Sequence, residues 1–249
     1  MVVSVLLSAY NAEEFIEKAI ESILTQSYTE IELIIVNDGS TDETLNIIKS
    51  FDDTRIVIIN RENRGLTKSL NEAIECATGD YICRQDADDF SFKDRIESQL
   101  NFLKESNSDV VFCQVFDGVD VLPKRHMLNK TITASQLIFG NVLAHGSVFG
   151  KASVFKNNKY DEDWRFGQDY ELWLRLLKNG VNLKWSEDKL YYLKKHDKSI
   201  SVVNAVKQEE LAIKAIKKNG FSDFLFIRKG DFFALKLFKK IIKRFMILY

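Results

Sequence analysis

Five short apolar runs, separated by segments whose apolar residues recur at helical spacing, leave this chain few folds to choose from. Val2–Ser8 and Ile31–Val36 ("IELIIV") are short and rich in β-branched residues, and are predicted as buried strands. Ile56–Ile59, Tyr81–Cys83 and Asp109–Phe116 continue the series. Between them, Phe15, Ile16, Ala19, Ile20, Ile23 and Leu24 fall on one helix face. "NDGSTDE" is a turn that opens the next helix, with Ser40 or Thr41 as its cap. Leu66, Leu70, Ala73, Ile74 and Ala77 form a third apolar face, closed by Gly79, and residues 92–105 predict a fourth helix. The β-α-β-α-β-α-β order implies an α/β fold, a parallel sheet covered by helices on both faces. Ligands of such sheets bind beyond the carboxyl ends of the strands. Three loops lie there and are expected to converge in one crevice: "SAYN" (8–11), "NDGS" (37–40) and "QDADD" (85–89).

The second half is less regular. Residues 151–160 carry no clear pattern. "QDYELWLRLLKN" (168–179) predicts a helix that ends at Gly180, Val181–Trp185 and Leu190–Leu193 predict short strands, and 206–218 another amphipathic helix.

"RQDADDF" (84–90) poses the sharpest chemical problem. Asp86, Asp88 and Asp89 crowd three carboxylates into four residues just past a strand, where they repel one another. A bound divalent cation would relieve the repulsion, and hard oxygen ligands suit Mg²⁺ or Mn²⁺, which commonly bridge a carboxylate and a diphosphate. A solvated acidic loop that caps the next helix is the plainer alternative. Other chemistries lack their residues. There is no G-x-x-x-x-G-K-[ST], no G-x-G-x-x-G after the first strand and no G-x-S-x-G, and His126, His145 and His196 are too scattered for a zinc site.

Cys76, Cys83 and Cys113, odd in number and without a C-x-x-C pair, are expected to be buried thiols in a reducing compartment. "MVVSVLLSAYN" has neither a basic n-region nor a small-residue cleavage site, so no signal peptide is expected, and no apolar run approaches a membrane span. Residues 206–249 carry 11 Lys/Arg against 4 Asp/Glu, a net +7, whereas the rest carries 24 against 32, a net −8. An acidic body argues against nucleic acid as a partner. On a helical wheel of 234–245, Lys236, Lys239, Lys240, Lys243 and Arg244 oppose Leu237, Phe238, Ile241, Ile242 and Phe245. This amphipathic helical tail has the pattern of a helix lying on an anionic membrane surface, with a helix packed on the body or on a second subunit as the alternative.

"VSVLLSAYNAEEFIEKAIESILTQSYTEIELIIVNDGSTDET", "NRGLTKSLNEAI", "GDYICRQDADD" and "GQDYELWLRL" resemble, in order over roughly residues 1–200, the family 2 glycosyltransferases of GT-A fold. The resemblance implies a Rossmann-like domain over 1–205, with a nucleotide-binding half to about 105 and an acceptor-binding half after it, followed by the tail 206–249. It implies a metal-dependent, inverting transfer from a nucleotide sugar, UDP-linked by default, to a saccharide or lipid-linked saccharide of a cell-surface polysaccharide. The enzyme would work in the cytoplasm, peripheral on the inner face of the membrane. Ala9 and Tyr10 would flank the nucleobase, Asp38 would accept the base N–H, and Arg64 would meet the nucleotide or its phosphates. Asp86 would face the ribose or metal, Asp88 would be the direct metal ligand, and His196 would approach the metal or diphosphate. Asp169 would be the general base. Family members usually carry an acid before it, where this chain has Gln168, and Glu171 is a substitute for acceptor contact. His145, in "AHGSVFG", would touch the acceptor or the sugar. Trp164, Trp173 and Trp185 are expected in the core or the acceptor wall. Two rivals remain. A phosphotransferase with an Asp nucleophile would want its D-x-D after the first strand, and a non-catalytic sugar-nucleotide-binding module would not need both Asp88 and Asp169.

Overall fold

Val3, Val5 and Leu7 alternate with Ser4, Leu6 and Ser8 along the first strand, and both sets are needed because both faces of the strand are covered. The computed structural model describes residues 1–122, 130–137, 141–194 and 205–221. His126, His196 and the basic tail from 222 onward lie outside the described residues.

The strands are β1 (Val3–Ala9), β2 (Ile31–Asp38), β3 (Ile56–Arg61), β4 (Tyr81–Asp86), β5 (Phe90–Ser91), β6 (Val110–Phe116), β7 (Val121–Leu122), β8 (Phe149–Lys151) and β9 (Leu183–Tyr192). The helices are α1 (Ile16–Leu24), α2 (Thr44–Ser50), α3 (Leu66–Cys76), α4 (Arg95–Glu105), α5 (Ala134–Leu137), α6 (Ala152–Asn157), α7 (Gln168–Lys178) and α8 (Ala205–Lys218). One sheet runs β3-β2-β1-β4-β8-β6-β9-β5, with β7 paired to β6. Its first four strands are parallel, as the alternation predicts. The expectation of a wholly parallel sheet fails beyond them: β8 runs antiparallel to both β4 and β6, while β6 and β9 are parallel again.

Among the described residues the two larger apolar cores sit on opposite faces of the sheet. Val3, Val5, Leu7, Leu33 and Ile35 pack with Ile16, Ile20 and Ile23 of α1 and Ile96, Leu100 and Leu103 of α4. Leu6, Ile34 and Val36 pack with Leu70 and Ile74 of α3 and with the α7 face of Leu172, Trp173 and Leu176. Trp164, Trp173 and Trp185 are all buried in this second core, as expected.

Several local expectations are corrected. Residues 181–193 hold one strand rather than two, because β9 continues along β6 through register shifts between Phe112 and Val115. The unassigned stretch 151–160 contains α6. Gly79 does not close α3, which ends at Cys76 with Ala77 as its cap. The glycine is required because a Cβ there would lie 2.7 Å from Ser4 Oγ and from Val2 O. Cys83 and Cys113 are buried, but Cys76 is exposed. Among the described residues no helix is long and apolar enough to cross a membrane.

Candidate active site

The three loops meet because their strands are neighbours. Ala9 lies opposite Asn37 and Ser8 opposite Asp86, so β2, β1 and β4 end at one level. The chain runs outward from β1 to β2 and β3, then crosses back through α3 to β4. The strand order therefore reverses between β1 and β4, where sheets of this kind take their ligands.

Backbone donors stitch the first two loops together. Asn11 N–H donates to Ser40 Oγ at 3.0 Å, Thr41 N–H donates to Asn11 Oδ1 at 2.8 Å, and Ala12 N–H donates to Thr44 Oγ1 at 2.7 Å. Ser40 and Thr41 are thus bound to the first loop and do not cap α2, which begins later, beside Asp42. Ala9 is buried at the end of β1, and Tyr10 stands 53% exposed beside it. Asp38 is buried. Its Oδ1 accepts from Arg61 and, at 2.8 Å, from Arg64 N–H, and its Oδ2 accepts from Gly65 N–H at 2.9 Å. Asp38 therefore fastens the 62–65 loop over the end of β2. Gly39 passes under that loop at φ +74°, where a Cβ would lie 2.5 Å from Asn63 N. The Arg64 side chain is exposed and faces Glu62 at 3.7 Å.

The acidic loop is held together from within. Arg84 and Asp86 are two residues apart on β4 and so share a face. Both terminal nitrogens of Arg84 bond the Asp86 carboxylate, Nη1 reaching Oδ2 at 2.7 Å. Asp86 N–H donates to Tyr191 Oη at 3.1 Å. On the other face Arg95, fully buried, donates to Gln85 Oε1 at 3.2 Å, Ser91 Oγ at 2.8 Å, Arg84 O at 2.9 Å and Gly146 O at 2.6 Å. Asp89 is buried too and accepts from Lys194 N–H at 2.8 Å. Burial, with Asp86 and Asp88 nearby, pushes its carboxyl up to about 8. Asp88 is half-exposed in the turn between them.

Asp169 enters from α7. Gly167, at φ +68°, starts that helix, and the Asp169 carboxylate accepts from the backbone N–H groups of its first turn. Asn141 Nδ2 donates to Asp169 Oδ2 at 2.6 Å. Burial nevertheless raises the Asp169 carboxyl above the ordinary carboxylate range, against the opposing pull of Tyr170 N–H, the Arg84 charge and Asn141. His145 Nε2 lies 2.7 Å from Tyr160 Oη, with the ring edge-on to Trp173. Burial, helped by the Arg84 guanidinium, pulls His145 well below its usual range, so it is neutral at pH 7. The Tyr160 hydroxyl is raised by burial, and the charges of Arg84, Asp169 and Asp86 all act on it. Asp86, Arg84, His145, Tyr160 and Asp169 thus form one polar cluster joining β4 to α7.

Glu171 is not part of it, and its acceptor role is corrected. Two residues along a helix turn the side chain by about 200°. Glu171 is buried on the opposite side of α7 from Asp169, paired with Arg175 at 3.1 Å and with Lys218 of α8 at 2.9 Å.

Among the described residues no group of three or more His, Cys, Asp or Glu side chains is placed to hold a metal ion. A cation that bridges a protein to a diphosphate needs only one or two carboxylates. Asp88 in the half-exposed turn, with Asp86 beside it at the end of β4, supplies hard oxygen donors of that kind, so the residues present fit Mg²⁺ or Mn²⁺.

Known proteins resemble this chain in sequence and in fold. The profile of Glycosyl transferase family 2 matches residues 4–158. EpsE of Bacillus subtilis strain 168, provisionally assigned as a glycosyltransferase, is 34% identical over 246 residues, 91% of this chain and 87% of its own. Staphylococcus aureus TarS 1–349, solved with UDP-GlcNAc, superposes with a TM-score of 0.72 at 22% identity over 87% of this chain, which spans 66% of that one. The Pyrobaculum calidifontis mannosyltransferase PcManGT, solved with GDP-Man and Mn²⁺, gives 0.67 at 18% identity over 87% of this chain and 63% of its own. With a family profile over more than half its length and a relative matched almost end to end, the chain belongs to glycosyl transferase family 2, the nucleotide-sugar-dependent transferases of GT-A fold.

Proposed function

We propose that this glycosyltransferase transfers a sugar with inversion from a UDP-sugar to a hydroxyl of a saccharide or lipid-linked saccharide, with Asp169 as general base. The observation that carries this reading is the polar cluster in which Asp86 at the end of β4 and Asp169 at the start of α7 face a common Arg84 and Tyr160. A single displacement needs one carboxylate to take the acceptor proton on the side away from the departing diphosphate. Burial makes Asp169 more basic than an ordinary carboxylate, while its hydrogen bonds hold it oriented.

On the donor side Tyr10 stacks on the nucleobase beside Ala9, Asp38 accepts the base N–H, and Arg64 meets the nucleotide. Asp86 and Asp88 would hold Mn²⁺ or Mg²⁺, which when bound supplies Lewis-acid neutralisation of the leaving diphosphate. Neutral His145, backed by Tyr160, is suited to accept a hydrogen bond from a sugar hydroxyl but not to compete with Asp169 for its proton. The basic amphipathic pattern of 234–245 supports a lipid-linked acceptor at a membrane surface.

A panel of UDP- and GDP-sugars, assayed for nucleotide release with and without Mn²⁺, tests this reading, with the product anomer read by NMR. UDP release with an inverted anomer is expected. Retention of configuration, or nucleotide binding without turnover, would overturn it.

A further inference from the structure

Asn141 sits in the loop before β8, exposed, in no stretch that the sequence patterns single out. Its side chain is nevertheless locked at both ends. Leu143 N–H donates to Asn141 Oδ1 at 3.2 Å, closing a local turn of the kind Asn favours. A backbone N–H can only donate, so Oδ1 must face it, and the orientation of the amide follows from that partner rather than from choice. The other end, Nδ2, then points at Asp169 and donates to Oδ2 at 2.6 Å, a short charge-assisted bond.

We propose that Asn141 is the positioning residue of the base: its turn-locked amide holds the Asp169 carboxylate in one rotamer, facing the acceptor side of the crevice. This rests on the reading of Asp169 as base. The bond closes a gap in that reading, because a general base needs a third group to orient it and α7 supplies only backbone donors. The groups that act on Asp169 come from three other elements: Arg84 on β4, Tyr160 in the loop after α6, and Asn141. His145 carries no charge at neutral pH, and the Asp86 carboxylate is bonded by both terminal nitrogens of Arg84, while Asn141 is a neutral donor to Asp169. A hydrogen bond to the charged form favours that form, so removing it should raise the Asp169 carboxyl further.

The test is the ¹³C titration of the Asp169 carboxyl in the unmodified protein, in Asn141→Ala and in Asn141→Asp, with Asp169→Asn to assign the resonance. Nucleotide release from a UDP-sugar is measured alongside. Asn141→Ala should shift the Asp169 midpoint to higher pH, lower kcat about tenfold or more, and leave nucleotide affinity unchanged, with only a small fall in the thermal midpoint. Asn141→Asp places a like charge against Asp169 and should shift the midpoint further. An unchanged midpoint in both variants overturns the proposal, as does an unchanged kcat in Asn141→Ala. An active Asp169→Asn would instead remove the base reading itself, and so separates the two failures.

Discussion

Arg84 clasps both oxygens of the Asp86 carboxylate from two residues away on the same strand, and its own guanidinium is buried to 4% exposure. The ion pair answers the charge problem of "RQDADDF" inside the protein. Nε of the same arginine has no partner among the described residues, so the pair is the main compensation for bringing that cation indoors.

Arg84→Gln should therefore unfold more easily, by about 3 kcal/mol, because it strands the Asp86 carboxylate among Asp88 and Asp89. Urea denaturation followed by tryptophan fluorescence checks it. An unchanged midpoint would mean that the pair contributes nothing net.

Gly146→Ala should damage the site itself. A Cβ at Gly146 would overlap the Tyr191 hydroxyl and come within 2.8 Å of Asp86 Oδ2. Tyr191 is wholly buried and cannot retreat, so overpacking of roughly 1–3 kcal/mol is expected together with a loss of turnover. Thermal denaturation and nucleotide release read the two effects separately.

Glu171→Gln separates packing from catalysis. The buried carboxylate ties α7 to α8 through Arg175 and Lys218, and Lys218 also reaches Asp161. Loss of the charge should cost about 2 kcal/mol, less than for a fully enclosed pair because both cations keep some access to solvent. Turnover per folded molecule should be preserved. A large fall in kcat with normal stability would restore the acceptor role withdrawn above.

The succession of β1 to β4 along the chain and the convergence of their loops were legible in the sequence because both follow from hydrophobic period and strand-end geometry. The C-terminal part resisted for a physical reason. β8 is three residues long and β9 bends through register shifts, so neither has a clean period. Arg84 could have been found, since residues two apart on a strand share a face and "RQD" puts a cation opposite an acid. Asn141 could not, because a loop asparagine and a helix acid 28 positions later meet only through the fold. Arg95 was hidden for a similar reason. It reads as a surface charge at the start of α4, yet it is fully buried and donates to four partners around the acidic loop.

The acid limb of the pH profile follows from the direction in which Asp169 is shifted. Its carboxyl lies above the ordinary value of about 3.9, and the ionised form is the one that accepts a proton. As pH falls through the raised value the base becomes protonated and kcat/KM declines, so the decline should begin at a higher pH than for an exposed carboxylate. A rate profile with donor held at saturation and acceptor varied checks it. A flat profile down to the range of a free aspartate would argue against Asp169.

Asp169→Asn provides the most direct measurement. Calorimetric titration of the variant with UDP and Mn²⁺ should return the affinity of the unmodified enzyme, because the proposed donor side draws on the β1, β2 and β4 loops and not on α7, while sugar transfer should fall by three orders of magnitude or more, about 4 kcal/mol in the barrier. Transfer at the normal rate, or loss of UDP binding along with transfer, would contradict the assignment of Asp169 as the proton acceptor.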